Sequence, residues 1–336
     1  MVRLKDIAAR ANVSVMTVSK ALRNAKDISA QTRARLQALA AEMGYVPNTA
    51  ASGLRTHTTR LFGLIISAMT NPMFARVIMA IEERAHEMGY DLIVAHSLNN
   101  AAREETCIRR MLARRVEGLF IFPAYRPRDQ ASVYDELFAR GVPTVILGPK
   151  ADFCAKFHNV ETNDLAASQA LTQLLVELGH RRIAFLTGPA ISPWAQERFE
   201  GYRRALREAS LDVEDKLVFQ AGATIEEGAK AALQMLQENP KATAVQAVND
   251  LVAIGAAETI LKQGLRVPQD VSVVGFGNVL VSEHFRVPLT TVRQPKYRLG
   301  VAAVETIKKL IAGESPPPQR LSAEIVQRES SGAAKA

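Results

Sequence analysis

The chain has 336 residues, 42 Lys/Arg against 34 Asp/Glu, and a formal net charge of +8; its 48% hydrophobic content is that of a globular chain, not a disordered one. Cys107 and Cys154, the only cysteines, lie far apart and exclude a disulfide framework or a zinc site, which fits a reducing compartment. No apolar stretch reaches the length of a membrane span, and the N-terminus reads as a charged amphipathic helix instead of a signal peptide, so a cytoplasmic (nucleoid-associated) protein with no membrane partner is expected.

The charge is segregated. Residues 1–60 hold ten Lys/Arg and three Asp/Glu, a net +7, which leaves only +1 for the other 276 residues. Solubility charge would be spread more evenly; this distribution confines a polyanion footprint to the N-terminal end. There, Leu4, Ile7, Ala8 and Ala11 fall at i, i+3, i+4, i+7, one apolar stripe on a helix. Asn12 can close that helix in a left-handed conformation and Ser14 can cap the next. On this second helix Val18 and Leu22 face inward, leaving Val15, Met16, Ser19 and Lys20 outward. The residue types suit a DNA major groove: Val15 and Met16 to pack on thymine methyls, Lys20 to donate to guanine O6/N7. Ser14, Thr17, Ser19, Arg23 and Asn24 suit phosphates, which fix register without reading sequence. The competing reading is a plain helical bundle with a solvated face, Met16 then belonging to its core. A third helix opens at Ser29, buries Leu36, Leu39, Ala40 and Met43, and ends at Gly44.

From residue 60 onward strands and helices alternate. Runs at 61–66, 91–95, 116–122 and 142–147 read as buried strands, with helices over 74–88, 101–115 and 129–140 between them. The pattern restarts after Glu161-Thr162-Asn163-Asp164. A helix ending at Gly179 feeds a strand at 182–186; helices near 195–209, 225–238 and 250–263 then alternate with strands near 216–220, 242–248 and 271–275. Near-continuous apolar strands alternating with helices mean parallel sheets covered on both faces, in two similar α/β lobes. The tail Ser330–Ala336 reads as disordered.

Several stretches in order carry a resemblance to the LacI/GalR-type (lactose repressor family) transcriptional regulators: Lys5-Asp6-Ile7-Ala8, Val13-Ser14 with Thr17-Val18-Ser19, Gly44-Tyr45-Val46-Pro47-Asn48, Leu54-Arg55-Thr56, Leu178 to Ala184, Asn249-Asp250, and Pro288 to Pro295. The resemblance implies an α/β fold with an N-terminal helix-turn-helix three-helix module over 1–46, a hinge helix or linker over 47–59, and a two-lobed periplasmic-binding-protein-like core over 60–330. It divides that core into an N-lobe of about 60–160 and 292–319 and a C-lobe of about 161–291 and 320–330. The chain would cross between lobes three times, a helix at about 297–312 returning to the first lobe and a last strand at about 321–327 closing on the second.

The resemblance also implies a function: a repressor that binds double-stranded operator DNA of pseudo-palindromic sequence as a homodimer. Asn48 and Leu54 would join the DNA-contacting set, Leu54 wedging into the minor groove from a hinge helix that orders only on DNA. Gly53 would weaken that helix by ~1 kcal/mol relative to Ala. Lys20 stands where the family often has Arg, keeping the charge but losing the bidentate fork. No C-terminal heptad zipper is apparent, which favours a dimer over a tetramer.

A small-molecule effector, a sugar or sugar derivative being one candidate, would occupy the cleft between the lobes. Phe74, Phe122, Trp194, Arg198, Asn249 and Gln294 are its candidate residues. Arg198 reads equally as a ligand clamp or as one partner of a surface ion pair with Glu197 or Glu200. Phe122, Gly148, Ala223 and Gly277 stand where many sugar-responsive members carry hydrogen-bonding or aromatic groups, Asp usually taking the place of Gly277, so the pocket reads as stripped of sugar-binding acids and enriched in apolar groups. A less hydroxylated ligand, a rewired sugar site and no ligand at all remain open, as does control by a protein partner. Catalysis is not expected: there is no glycine-rich phosphate loop and no HExxH, and Gly275-Phe276-Gly277 lacks the third glycine of a dinucleotide site. No cofactor and no metal are expected. A solute-binding protein is the remaining alternative class, and residues 1–57 argue against it.

Overall fold

The computed structural model describes residues 2–46, 58–127, 131–238 and 241–335. It forms two units, Met1–Thr59 and Arg60–Ala336.

The first unit is three helices, α1 (Leu4–Ala11), α2 (Val15–Leu22) and α3 (Ala30–Glu42). The N–H of Arg3 donates to Asp6 Oδ2 at 2.8 Å, securing the start of α1, and Asn12 ends the helix with φ 52°. Ser14 Oγ accepts from the Thr17 N–H at 3.0 Å and Ser29 Oγ from the Thr32 N–H at 3.2 Å, so both later helices begin on a serine cap. Ile7, Ala8, Ala11, Val18, Ala21, Leu36 and Ala40 form the core, with Leu4, Leu22, Leu39 and Met43 packed around it. So small a core needs polar stitching. Arg33 donates to the Ala25 and Ile28 carbonyls and Arg35 to that of Ala11, across the two turns.

The second unit holds two six-stranded sheets. In the first, β1 (Leu61–Ile66) lies between β2 (Asp91–His96) and β3 (Gly118–Ile121). β4 (Thr144–Leu147) and β5 (His158–Thr162) follow, and β11 (Gln319–Leu321) closes the edge, all parallel. Period-two alternation fixes which face each side chain meets. Phe62, Leu64 and Ile66 of β1 point to α4 (Ala75–Glu87) and α12 (Lys296–Ile311). Ile65 points the other way, with Leu119 and Ile121, to α5 (Ala101–Ala113) and α6 (Ser132–Ala139).

The second sheet repeats this plan. β6 (Ile183–Thr187) lies between β7 (Val218–Gln220) and β8 (Ala244–Ala247); β9 (Ser272–Gly277), β10 (Thr290–Arg293) and β12 (Glu324–Val326) follow, only β12 running antiparallel. Helices α9 (Ile225–Glu238) and α10 (Asp250–Lys262) cover one face, α7 (Asp164–Glu177) and α8 (Pro193–Glu208) the other. The short α11 (Leu280–His284) follows β9.

The chain crosses between sheets after β5, after β10 and after β11. The crossings fall at 163, 294–295 and 322–323, a few residues beyond those expected, because β5 runs to Thr162, β10 to Arg293 and β11 to Leu321. The closing strand expected at about 321–327 is β12, which pairs with β10 of the second sheet; the short β11 just before it, which was not expected, completes the first. The tail expected as disordered is docked as far as it is described. Ser330 is fully buried, its Oγ donating to the Val273 carbonyl (2.6 Å) and accepting from the Thr290 N–H (2.8 Å). Ser331 Oγ meets Thr290 Oγ1, and the Gly332 N–H donates to Ser272 Oγ. Its small, polar composition suggested a free end; the same smallness lets it fill a slot against β9 and β10.

Candidate nucleic-acid interface and effector cleft

Helix α2 presents a face the module does not use internally. Val18 and Ala21 are buried, whereas Val15 is 47% and Met16 62% exposed at its first turn. Met16 is therefore no part of the core. Beside these apolar tips stand the paired hydroxyls of Ser14 and Thr17, 2.9 Å apart. Lys20 is ion-paired to Asp27, whose carboxyl it holds below the usual range chiefly through their hydrogen bond. The Arg23 Nε donates to the Ser19 carbonyl at 2.9 Å, and Asn24, with φ 57°, accepts from Gln37 Nε2 at 2.9 Å. Of the predicted set, Ser14, Val15, Met16, Arg23 and Asn24 are exposed, and Thr17, Ser19 and Lys20 are half-buried. The cations of the unit are not equivalent. Arg33 and Arg35 hold backbone, and Arg10 and Lys20 are paired with Glu42 and Asp27. Arg3, Lys5, Arg23 and Lys26 are exposed with no acid at ion-pair distance among the described residues. Asn48, Gly53 and Leu54 lie outside the described residues.

In the second unit the C-terminal ends of the strands of both sheets converge on a cleft of about 380 Å³. The first lobe contributes Phe74, Phe122 and Tyr125; the second contributes Trp194, Arg198, Asn249 and Phe276, and Gln294 enters from the second crossing. Phe74 and Phe122 pack edge to face with centroids 4.6 Å apart. The loop carrying Phe122 and Tyr125 is pinned from below. Buried Glu104 accepts from the Ala124 N–H (2.5 Å) and from Tyr134 Oη (3.0 Å) and is ion-paired to Arg126. Burial pushes the Glu104 carboxyl up despite these partners.

On the second lobe Arg198 is buried, its guanidinium 3.8 Å from the Phe276 ring centroid and 4.9 Å from that of Trp194. Its Nε and Nη2 donate to Asp164 Oδ2 at 2.9 and 2.6 Å, and its Nη1 to the Val248 carbonyl at 2.7 Å. Asp250, at the start of α10, accepts from the Val279 N–H, Ser282 Oγ and Thr291 Oγ1. Burial pushes both carboxyls, Asp164 and Asp250, above their ordinary range. Lys296 donates to the Gly277 and Asn278 carbonyls, and burial lowers its pKa to about 8. Gly277 has φ +139°, a conformation that a side chain would strain. No group of three or more His, Cys, Asp or Glu able to hold a metal occurs among the described residues.

Residues 3–48 match the model for bacterial regulatory proteins of the lacI family, and residues 172–331 match a periplasmic binding protein-like domain. The HTH-type transcriptional repressor PurR of Salmonella paratyphi B is 32% identical over 335 residues, 98% of this chain and 97% of that protein. The chain belongs to the LacI family. PurR of Photobacterium profundum is 29% identical over 98% of both chains. Among solved structures, the lac repressor dimer bound to operator and the anti-inducer ONPF is similar with a TM-score of 0.89, at 30% identity over 99% of both chains. A CelR–cellobiose complex is similar at 0.74, at 29% identity over 98% of this chain and 100% of that one. As a LacI-family member the protein is a DNA-binding transcriptional regulator with a periplasmic-binding-protein-like effector domain.

All six residues expected at the effector cleft line it, as do Gly148, Ala223 and Gly277. Their chemistry differs from expectation at three points. Arg198 is neither free nor on the surface: it pairs with Asp164, while Glu197 pairs with Arg320 and Glu200 with Arg203, Arg204 and Arg207. Asn249 has both ends in use, Oδ1 capping α10 at the Val252 N–H and Nδ2 donating to the Ala223 carbonyl. The cleft is not stripped of acids, because Asp164 and Asp250 line it; both are satisfied by the protein itself. Asp250 stands in the Asn249-Asp250 stretch already picked out by the family resemblance; Asp164 was missed because it follows an asparagine that caps a helix, and acid in a first helical turn reads as capping. The repeated Asn-Asp pair at two strand ends was the available signal.

Proposed function

We propose that this LacI-family regulator represses transcription as a homodimer on a pseudo-palindromic operator, and that a small molecule in the interlobe cleft sets its DNA affinity. In this reading residues 1–46 read DNA, 47–59 form a hinge and 60–330 bind effector and dimerise, in the cytoplasm. Val15 and Met16 read thymine methyls, Lys20 reads guanine, and Ser14, Thr17, Ser19, Arg23 and Asn24 hold phosphates, with Asn48 and Leu54 adding contacts from the hinge. The observation that carries this is the pair of exposed apolar side chains, Val15 and Met16, at the capped start of α2 amid hydroxyls and cations. Exposed apolar groups at a helix start gain nothing in solution and gain contact in a major groove. The cleft at the strand ends, walled by aromatics, supports the effector half of the reading.

Selection of bound sequences from a random duplex library tests it. A two-fold symmetric site whose preferred bases change in Met16→Ala and Lys20→Ala is expected. Enrichment of asymmetric sites, or preferences untouched by both substitutions, would overturn the assignment of α2 as reader.

A further inference from the structure

We infer that Asp27 is a positioning residue for sequence reading: it masks the Lys20 charge from phosphate and holds the Lys20 amine toward a base edge. This rests on the reading of α2 as the DNA-reading helix. Residues 2–46 carry three acids, Asp6, Asp27 and Glu42. Asp6 Oδ2 accepts from the Arg3 N–H at the start of α1, and Glu42 ties α3 to Arg10 of α1 at 2.7 Å. Asp27 has no such task in the fold. Its one side-chain partner among the described residues is Lys20, whose Nζ donates to Oδ2. The Lys20 side chain keeps 39% of its surface open and that of Asp27 55%, and an ion pair so open adds little to stability. A carboxylate on a surface that meets phosphate also opposes binding by its charge. Its place beside Lys20 therefore calls for a role in reading.

The fold fixes Asp27 from both sides. Arg33 of α3 donates to the Ala25 carbonyl at 2.9 Å and to the Ile28 carbonyl at 3.0 Å. The Ala25 N–H donates to the Lys20 carbonyl at 3.0 Å, so the turn after α2 is closed onto that helix. The carboxylate is thus presented to Lys20 by the backbone and not by chance of a free loop. Its bond to Lys20, with a smaller pull from Arg23, holds the carboxyl below its usual range, so it is ionised at neutral pH. Lysine alone reads bases poorly: it is a compact charge on a flexible stem, without the arginine fork, and any phosphate satisfies it. Paired, its charge is balanced, one N–H is committed to Asp27 and two remain. Guanine O6 and N7, two neutral acceptors on one base edge, match those two donors. A phosphate would bring its own negative charge against Asp27. The pair converts a cation that would hold any duplex into a donor that favours one base.

The test compares the selected operator duplex with a random-sequence duplex of the same length, on the full-length protein, by fluorescence anisotropy across a salt series. Asp27→Asn frees one cation per subunit, so the random-duplex slope of log K against log salt should steepen by about 2 for the proposed dimer. Affinity for the random duplex should rise about tenfold and that for the operator by less, which lowers the specificity ratio while the same bases stay preferred. The double variant Lys20→Gln/Asp27→Asn removes both charges. Its slope should match the wild type, and preference at one symmetric base pair should be lost. A purely structural Asp27 would move neither slope nor ratio, and melting should be alike in all three proteins because the pair bonds nothing else in the unit. An unchanged slope in Asp27→Asn, or equal gains on the two duplexes, would overturn the inference alone. A double variant that keeps every wild-type base preference would show that Lys20 is no reader, and the reading of α2 on which the inference stands would fall with it.

Discussion

Neutralising the phosphate contacts of the helix-turn-helix unit should follow the disposition of its cations and not their number. Residues 2–46 carry eight Lys/Arg, of which Arg33 and Arg35 hold backbone across the turns and Arg10 and Lys20 are paired with acids, while Arg23 bonds only the Ser19 carbonyl one turn back in its own helix, through Nε, and has no acid partner among the described residues. Arg3, Lys5, Arg23 and Lys26 remain, so the proposed dimer brings eight free cations to DNA from the described residues. With about 0.9 counterions released per phosphate, log K should fall with log salt at a slope of roughly −7, a loss of about 10⁴ in affinity between ~50 and ~200 mM salt. Arg23→Ala removes one contact per subunit and should reduce the slope by about 2. Arg35→Ala removes the same formal charge but a structural bond, to the Ala11 carbonyl; it should leave the slope alone and lower the melting temperature of the first unit. Fluorescence anisotropy of a labelled operator duplex across a potassium chloride series measures each slope. A wild-type slope shallower than about −3, or an Arg23→Ala slope equal to wild type, would refute the division of these cations into free and committed sets.

Three further outcomes are expected. Asp27→Asn releases Lys20 and removes a negative charge from the reading face, so it should tighten binding to all duplexes, whereas Lys20→Ala should flatten preference at one symmetric base pair; binding-site selection separates the two. Ser330→Ala deletes the hydroxyl bridging the Thr290 N–H and Val273 carbonyl in a fully buried site, and should cost about 2 kcal/mol, roughly 4–8 °C in calorimetric Tm, with operator affinity intact at low temperature. Burial holds the His180 imidazole, bonded to Thr243, Ser272 and Gly332, below its ordinary pKa of 6.5. Below that value the unfolded chain takes up a proton that the folded chain refuses, so His180 makes stability fall with acidification and adds nothing above it. The wild-type minus His180→Gln difference in denaturant midpoint should therefore shrink as pH falls from 7 to 5; a difference that stays constant would show His180 to be protonated in place.

Much of the fold was legible because apolar runs and helix caps are local signals. Ser14, Ser29, Asn12 and Gly44 mark their helix ends in the sequence as they do in the structure. What stayed hidden is set by partners distant in sequence. Asp164 meets Arg198 across 34 positions, and Asp250 meets Thr291 across 41. Neither distance leaves a periodicity, so a satisfied acid and a missing one look alike in a chain read residue by residue. The tail misled for a related reason: Ser330 and Gly332 earn their places from β9 and β10, not from any propensity of their own. On the reading face the types were plain, but the Lys20–Asp27 pairing, across a seven-residue interval that leaves the helix, was not.

The three crossings between sheets have a genetic corollary. Because β11 completes the first sheet and β12 the second, and both lie after residue 318, neither lobe is a continuous stretch of gene. A stop codon anywhere between β6 and β11 leaves two unfinished sheets instead of one sound lobe and one missing. Nonsense alleles spread over some 130 codons should thus share one phenotype, a lost core with the reading module retained, while an in-frame exchange of one lobe with a relative would need two separate segments swapped together.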